Sequence, residues 1–266
     1  MRGIGTQVTI PAVPTLTSSR PVVTPTALHA EAVAWLRAHT DRRYAEGARA
    51  YFKKWEPVHL YGVRTPDVRR LAASLARRVK GTWTVREAIA FANRCTQDRE
   101  METKAIGWIL LGRYARDFPP ALPTTVRRWI LAGHCVNWAH IDALSGEVLA
   151  RWVERYPDRV ATITGWHSSR NPWLRRASIV PLVRAARCGR HLDEAYATVL
   201  ALRDDAEDLM HKACGWLLRE AGKADMPRLE RFLLRYGPGL PRTTIRYAIE
   251  RFPPVRRRGL LAETRP

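Results

Sequence analysis

The sequence predicts an all-α chain of stacked antiparallel helix pairs, a solenoid, and three observations carry that reading. From Thr26 onward, apolar residues recur at spacings of three and four, with no alternating strand pattern. Cap-like residues open the segments: Thr65 before Pro66, Thr84 before Val85-Arg86-Glu87, Asp98, and Asn171 before Pro172, while Gly81, Gly133, Gly165, Gly189 and Gly237 fall between segments. This punctuation predicts about a dozen helices of ~10–18 residues joined by short turns. The third observation is an internal repeat.

Lys104-Ala105-Ile106-Gly107-Trp108-Ile109-Leu110 recurs as Lys212-Ala213-Cys214-Gly215-Trp216-Leu217-Leu218, an offset of 108 residues or three steps of 36. The intermediate steps land on His140-Ile141-Asp142-Ala143-Leu144 and Arg176-Ala177-Ser178-Ile179-Val180, both inside helical segments. A 36-residue period belongs to two-helix solenoid repeats of the HEAT type, so the expected fold is a HEAT-like α-solenoid of about six antiparallel helix pairs. Equivalent positions of a solenoid line up along one surface. Lys104, His140, Arg176 and Lys212 are therefore expected to form a ladder of positive or protonatable groups along a concave basic groove that tracks phosphates.

Composition supports a polyanionic partner. With 46% hydrophobic and 26% charged residues the 266-residue chain is an ordinary globular protein, yet Lys+Arg 45 against Asp+Glu 25 leaves a net charge of +20. Six of the basic residues are lysine, so arginine supplies 39. Guanidinium groups grip phosphate oxygens bidentately, which points to nucleic acid. Cys95, Cys135, Cys188 and Cys214 form no C-x-x-C pair, so neither a zinc ribbon nor an iron–sulfur site is signalled, and they read as buried small hydrophobes in a reducing cytoplasm. The apolar run from Trp129 to Ile141 is too short and too interrupted to span a membrane. Residues 1–28, rich in Pro and Thr, read as a disordered tail; residues 29–254 as the folded domain; residues 255–266, with Arg256-Arg257-Arg258, as a basic C-terminal tail.

The centre of the chain carries the candidate chemistry. Trp138 and Asp142 stand at i, i+4, so an indole and a carboxylate share one helical face. A planar cation would be drawn to both, and a core tryptophan beside a capping or ion-paired aspartate would leave the same pattern. In Trp173-Leu174-Arg175-Arg176 the adjacent arginines diverge by ~100°, and the repeat register selects Arg176 for the groove. Trp216 lies one turn beyond Lys212, with Arg219 at i+3; Gly215 permits close approach of a neighbouring helix or ligand, and Trp108 in the sister repeat reads as core.

Tyr51-Phe52-Lys53-Lys54, the run from Tyr61-Gly62-Val63-Arg64-Thr65-Pro66 to Arg70, Trp138-x-x-x-Asp142, Ser169-Arg170-Asn171-Pro172-Trp173-Leu174-Arg175-Arg176-Ala177 and Lys212-Ala213-Cys214-Gly215-Trp216-Leu217-Leu218-Arg219-Glu220 together resemble the AlkD-like DNA alkylation repair enzymes, in order from about residue 30 to 252. The resemblance implies a HEAT-like DNA glycosylase that excises cationic N3- and N7-alkylated purines from duplex DNA, without metal or cofactor. It also implies that Asp142 is the catalytic carboxylate and that Trp138 and Trp216 are aromatic walls beside the lesion. Arg176 and Arg219 then correspond to backbone contacts and Tyr51 to a tyrosine near the lesion. The sequence departs from the family's Trp-Trp-Asp-x-x-Asp pattern by carrying Asn137 and Ala139 at two of its places, and His140 stands where a small polar residue is usual. The expected partner is duplex DNA containing alkylated bases, bound by a monomer in a bacterial cytoplasm, with no membrane contact or obligate protein partner. The competing reading is a non-catalytic solenoid that binds distorted or branched DNA.

Overall fold

A computed structural model describes residues 23–265, and the described residues contain helices and no strand. In order the helices are α1 (Pro25–Ala38), α2 (Arg42–Arg49), α3 (Thr65–Val79), α4 (Val85–Gln97), α5 (Met101–Gly112), α6 (Leu122–Leu131), α7 (Trp138–Leu144), α8 (Ala150–Arg155) and α9 (Ala161–Thr164). They continue as α10 (Pro172–Ile179), α11 (Leu182–Arg187), α12 (Leu192–Ala201), α13 (Asp208–Ala224), α14 (Met226–Tyr236), α15 (Arg242–Ala248) and α16 (Pro254–Glu263). A single π turn, Ser145–Leu149, carries α7 into α8 without a break. No helix among the described residues is long and apolar enough to cross a membrane.

Two of the predicted start signals act as read. Thr84 and Glu87 close a reciprocal capping box on α4, and the Asn171 side chain accepts from Trp173 N and Leu174 N to open α10. Two do not. Thr65 is already helical, with Arg64 at the cap position, and Asp98 terminates α4 instead of starting α5.

The helices pack as an α-solenoid. One row runs α3, α5, α7, α10, α13, α15, each packed on the next; behind it α4 backs α5, α12 and α14 back α13, and α16 backs α14. The buried core includes Phe91, Trp108, Phe118 and Trp152, all essentially solvent-free, each large side chain contributing roughly 1.5–3 kcal/mol by burial. Trp108 satisfies its indole N–H on Thr96 Oγ1 at 2.9 Å, which places it in the core as expected. The shared glycine of the repeat marks close helix contacts. A Cβ at 107 would stand 2.5 Å from Cys95 Cβ, and one at 215 would stand 2.4 Å from Tyr247 Cβ and 2.7 Å from Thr244 O.

Both domain boundaries move outward. Leu28 is fully buried within α1, and Trp83 Nε1 donates to Val23 O at 2.7 Å, so the expected tail of residues 1–28 ends before Val23; its remainder, 1–22, lies outside the described residues. The expected C-terminal tail from residue 255 is instead helix α16. Its Leu260 is fully buried, and Arg242 Nη1 donates to Thr264 O at 2.9 Å. Arg256 is held by Glu230 and Glu263, each at 2.6 Å; the run of arginines had masked the apolar side of this helix. Cys188 is exposed, whereas Cys95, Cys135 and Cys214 are buried as read, and burial pushes the Cys135 and Cys214 thiols up to about 12.

Candidate functional site

Helix α7 is anchored before it begins. The Asn137 side chain accepts from His140 N at 2.9 Å, capping the helix, and donates from Nδ2 to Pro57 O at 3.0 Å, tying the helix start to the loop that follows α2. Asn137, noted in the sequence only as a departure, thus has a structural role that an asparagine directly before a helical run signals. That loop also delivers Phe52, whose ring stacks on Trp138 with centroids 5.2 Å apart and planes 23° apart. Phe52 escaped the sequence reading, which chose its neighbour Tyr51. Tyr51 is 81% exposed at the mouth of a cavity of about 310 Å³ that it lines together with Phe52 and the half-buried Trp138, over Val63, Met101, Ala105 and Trp108.

One turn beyond Trp138, the Asp142 carboxylate meets Arg176 from α10. Nε donates to Oδ1 at 2.7 Å and Nη2 to Oδ2 at 2.8 Å, the fork-on-fork geometry of a bidentate pair. Arg176 Nη1 donates to Leu209 O at 2.6 Å, on the first turn of α13. A single guanidinium therefore joins three successive helices of one row, α7, α10 and α13. The Arg176 side chain is 6% exposed and that of Asp142 is 20% exposed. Each carboxylate oxygen has two acceptor sites and Arg176 occupies one on each, so Asp142 keeps acceptor capacity for a water or a cation at its exposed edge. The adjacent Arg175 diverges, as its spacing requires, onto the Asp205 carboxylate.

The expected phosphate ladder does not form. Its four members do stand on consecutive helices α5, α7, α10 and α13, so the 36-residue register is correct, but three of them point into protein. Lys104 is 3% exposed and donates from Nζ to Thr96 O at 2.6 Å and to Asp98 O, where an ammonium neutralises the carbonyl end of α4; burial pushes its pKa down. His140 is 3% exposed, with Nδ1 accepting from Val136 N at 3.3 Å and its ring edge-on to Trp108. Burial, aided by the Lys104 charge, holds its pKa at about 3, so it is neutral near pH 7. Arg176 is committed to Asp142. Lys212 alone is substantially accessible, 40% exposed, and pairs with Asp208 at 2.8 Å.

Trp216 lies on α13, half-buried against the core, and α10 packs on both α13 and α7 in the row. Arg219, on the same helix, pairs with Glu250 and Glu220. Trp138 and Asp142 are thus brought together with Arg176 and Phe52, with Trp216, Lys212 and Arg219 across α10 and Lys104 and His140 withdrawn into the packing. Among the described residues no group of three or more His, Cys, Asp or Glu side chains is arranged to hold a metal ion.

This arrangement, an oriented carboxylate beside an indole on the same helical face, suits a ligand that carries or develops positive charge. The family model described as DNA alkylation repair enzyme matches residues 32–252. No curated protein matches. A solved structure described as "Predicted DNA alkylation repair enzyme from Enterococcus faecalis" superposes with a TM-score of 0.71 at 18% identity, covering 81% of this chain and 97% of that one, a likeness of fold. The family match extends from α1 to the turn before α16 and takes in every residue of the site, so the chain belongs to the DNA alkylation repair enzyme family.

Proposed function

We propose that the protein is a monofunctional DNA glycosylase that hydrolyses the N-glycosidic bond of positively charged N3- and N7-alkylpurines in duplex DNA. The observation that supports it is the Asp142 carboxylate, clamped by Arg176 with one edge open beside Trp138. Alkylation makes the purine a cation and a good leaving group. As the bond to C1′ breaks, its electron pair leaves with the base, which becomes neutral, and positive charge passes to an oxocarbenium-like sugar. An anion fixed nearby stabilises that charge, and the acceptor sites Asp142 retains orient the water whose oxygen bonds to C1′ and which releases one proton. The indole of Trp138, one turn from Asp142, favours the cation through its π-face.

Release of 7-methylguanine from duplex DNA tests the reading. Asp142→Asn is expected to lose at least ~10²-fold in rate, the scale of removing one electrostatic partner of the transition state. One observation favours the non-catalytic alternative: the same Asp142–Arg176 pair ties α7 to α10. If the folded wild type frees no base above the spontaneous rate, or if Asp142→Asn matches it, the pair is structural and the protein is a DNA-binding solenoid.

A further inference from the structure

The two most exposed large apolar side chains among the described residues are both aromatic and both in one loop: Tyr51 at 81% and Trp55 at 78%. Burial normally claims a tryptophan, so a loop that displays one needs a reason to hold it out. This loop is not slack. The Arg49 guanidinium donates to the backbone oxygens of Lys53, Lys54 and Glu56 at 3.0, 2.8 and 2.9 Å, and the buried Glu56 carboxylate accepts from Lys53 N at 2.8 Å. Its remaining apolar ring, Phe52, is stacked on Trp138, and its far end is tied to Asn137 through Pro57 O. The loop is therefore braced from within and fastened to both sides of the α7 start, with Trp55 projecting and the Lys53 ammonium 5.4 Å from the centre of its ring.

A braced, exposed indole directly preceded by two lysines and followed by a glutamate turned into the loop matches the chemistry of a nucleobase on a phosphate backbone: stacking for the base, point charges for the phosphates. We propose that Trp55 is a stacking platform for a nucleobase that has left the duplex stack next to the damaged nucleotide, with Lys53 and Lys54 against the adjoining phosphates. The proposal rests on the DNA-binding part of the reading above. Continuity supports it, because the Phe52–Trp138 stack joins the platform to the helix that carries Asp142. Such a platform confers preference for steps whose stacking is already broken, since a paired base offers no free face.

The test uses the full chain and two short duplexes, one perfect and one carrying a single unpaired nucleotide, with affinity measured over a series of salt concentrations. Wild type is expected to prefer the bulged duplex. Trp55→Ala should weaken binding to it by about 5- to 100-fold while leaving the perfect duplex nearly unchanged. Trp55→Phe should restore most of the loss, and the log–log salt slope should stay at its wild-type value, because stacking releases no counterions; Lys54→Gln should instead lower the slope by about one. If Trp55→Ala binds both duplexes as wild type does, or loses equally on both with a shallower slope, the platform does not exist. An inactive wild type that keeps the Trp55-dependent preference would sink the glycosylase reading alone; an active one indifferent to Trp55 would sink only the platform.

Discussion

Arg176→Gln separates two roles for one arginine. In the structure its guanidinium donates to both Asp142 oxygens and to Leu209 O. All three bonds are donated by a charged guanidinium, and such bonds contribute about 1.5–3 kcal/mol each, but bonds made by one side chain do not add independently. Removing one member of a buried pair costs about 3–5 kcal/mol, mostly through the charge left behind. Here that charge is Asp142, 20% exposed, which water partly resolvates, so the lower end, about 3 kcal/mol, applies. For a domain of this size each kcal/mol moves Tm by about 2–4 °C, giving an expected fall of about 6–12 °C by calorimetry. Asp142→Asn combined with Arg176→Gln should be more stable than the sum of the single losses by about 2 kcal/mol, because the stranded carboxylate is gone. The salt slope of binding to undamaged duplex should match wild type. If Arg176→Gln melts with wild type and lowers that slope by about one, its guanidinium faces phosphate and the clamp is refuted.

Gly215→Ala places a Cβ 2.4 Å from Tyr247 Cβ and 2.7 Å from Thr244 O, so overpacking of about 1–3 kcal/mol should outweigh the helix-propensity gain of about 1 kcal/mol. Gly146→Ala, which meets nothing within 4 Å, should be neutral or mildly stabilising in the same denaturation assay, and equal behaviour of the two would contradict the α13–α15 packing. His140, held at about 3 when folded against about 6.5 when unfolded, makes the unfolded state bind the extra proton as pH falls. Stability from this residue is therefore whole above pH 6.5 and declines toward pH 3 by on the order of 1 kcal/mol per pH unit. His140→Gln should flatten that part of the stability–pH curve, and an unaltered slope would mean that His140 takes up its proton in the fold.

The sequence by itself determined the helical class, the 36-residue register and the Trp138–Asp142 face, because each is written in local spacing: 3.6 residues per turn sets which side chains share a face, and equal repeats bring equivalent positions onto equivalent helices. The capping box at Thr84 and the cap at Asn171 were legible for the same reason. What spacing does not contain is whether a long polar side chain ends in water or in a neighbour. Lys104 and Arg176 sit at matching places on α5 and α10, yet one terminates on the carbonyls ending α4 and the other spans to Asp142 and Leu209. Those partners come from other helices, at distances that only packing sets. That Phe52 stacks on Trp138 while Tyr51 stands at the mouth of the same cavity has the same origin: the tether from Asn137 to Pro57 O fastens the loop that presents Phe52 to Trp138. The arginine run at 256–258 hid a packed helix because its apolar contact is carried by Leu260, buried only once α14 and the Arg242 bond to Thr264 are in place. Tertiary structure thus decided where the charges went, since an unpaired charge cannot stay buried and takes the nearest partner that the fold supplies.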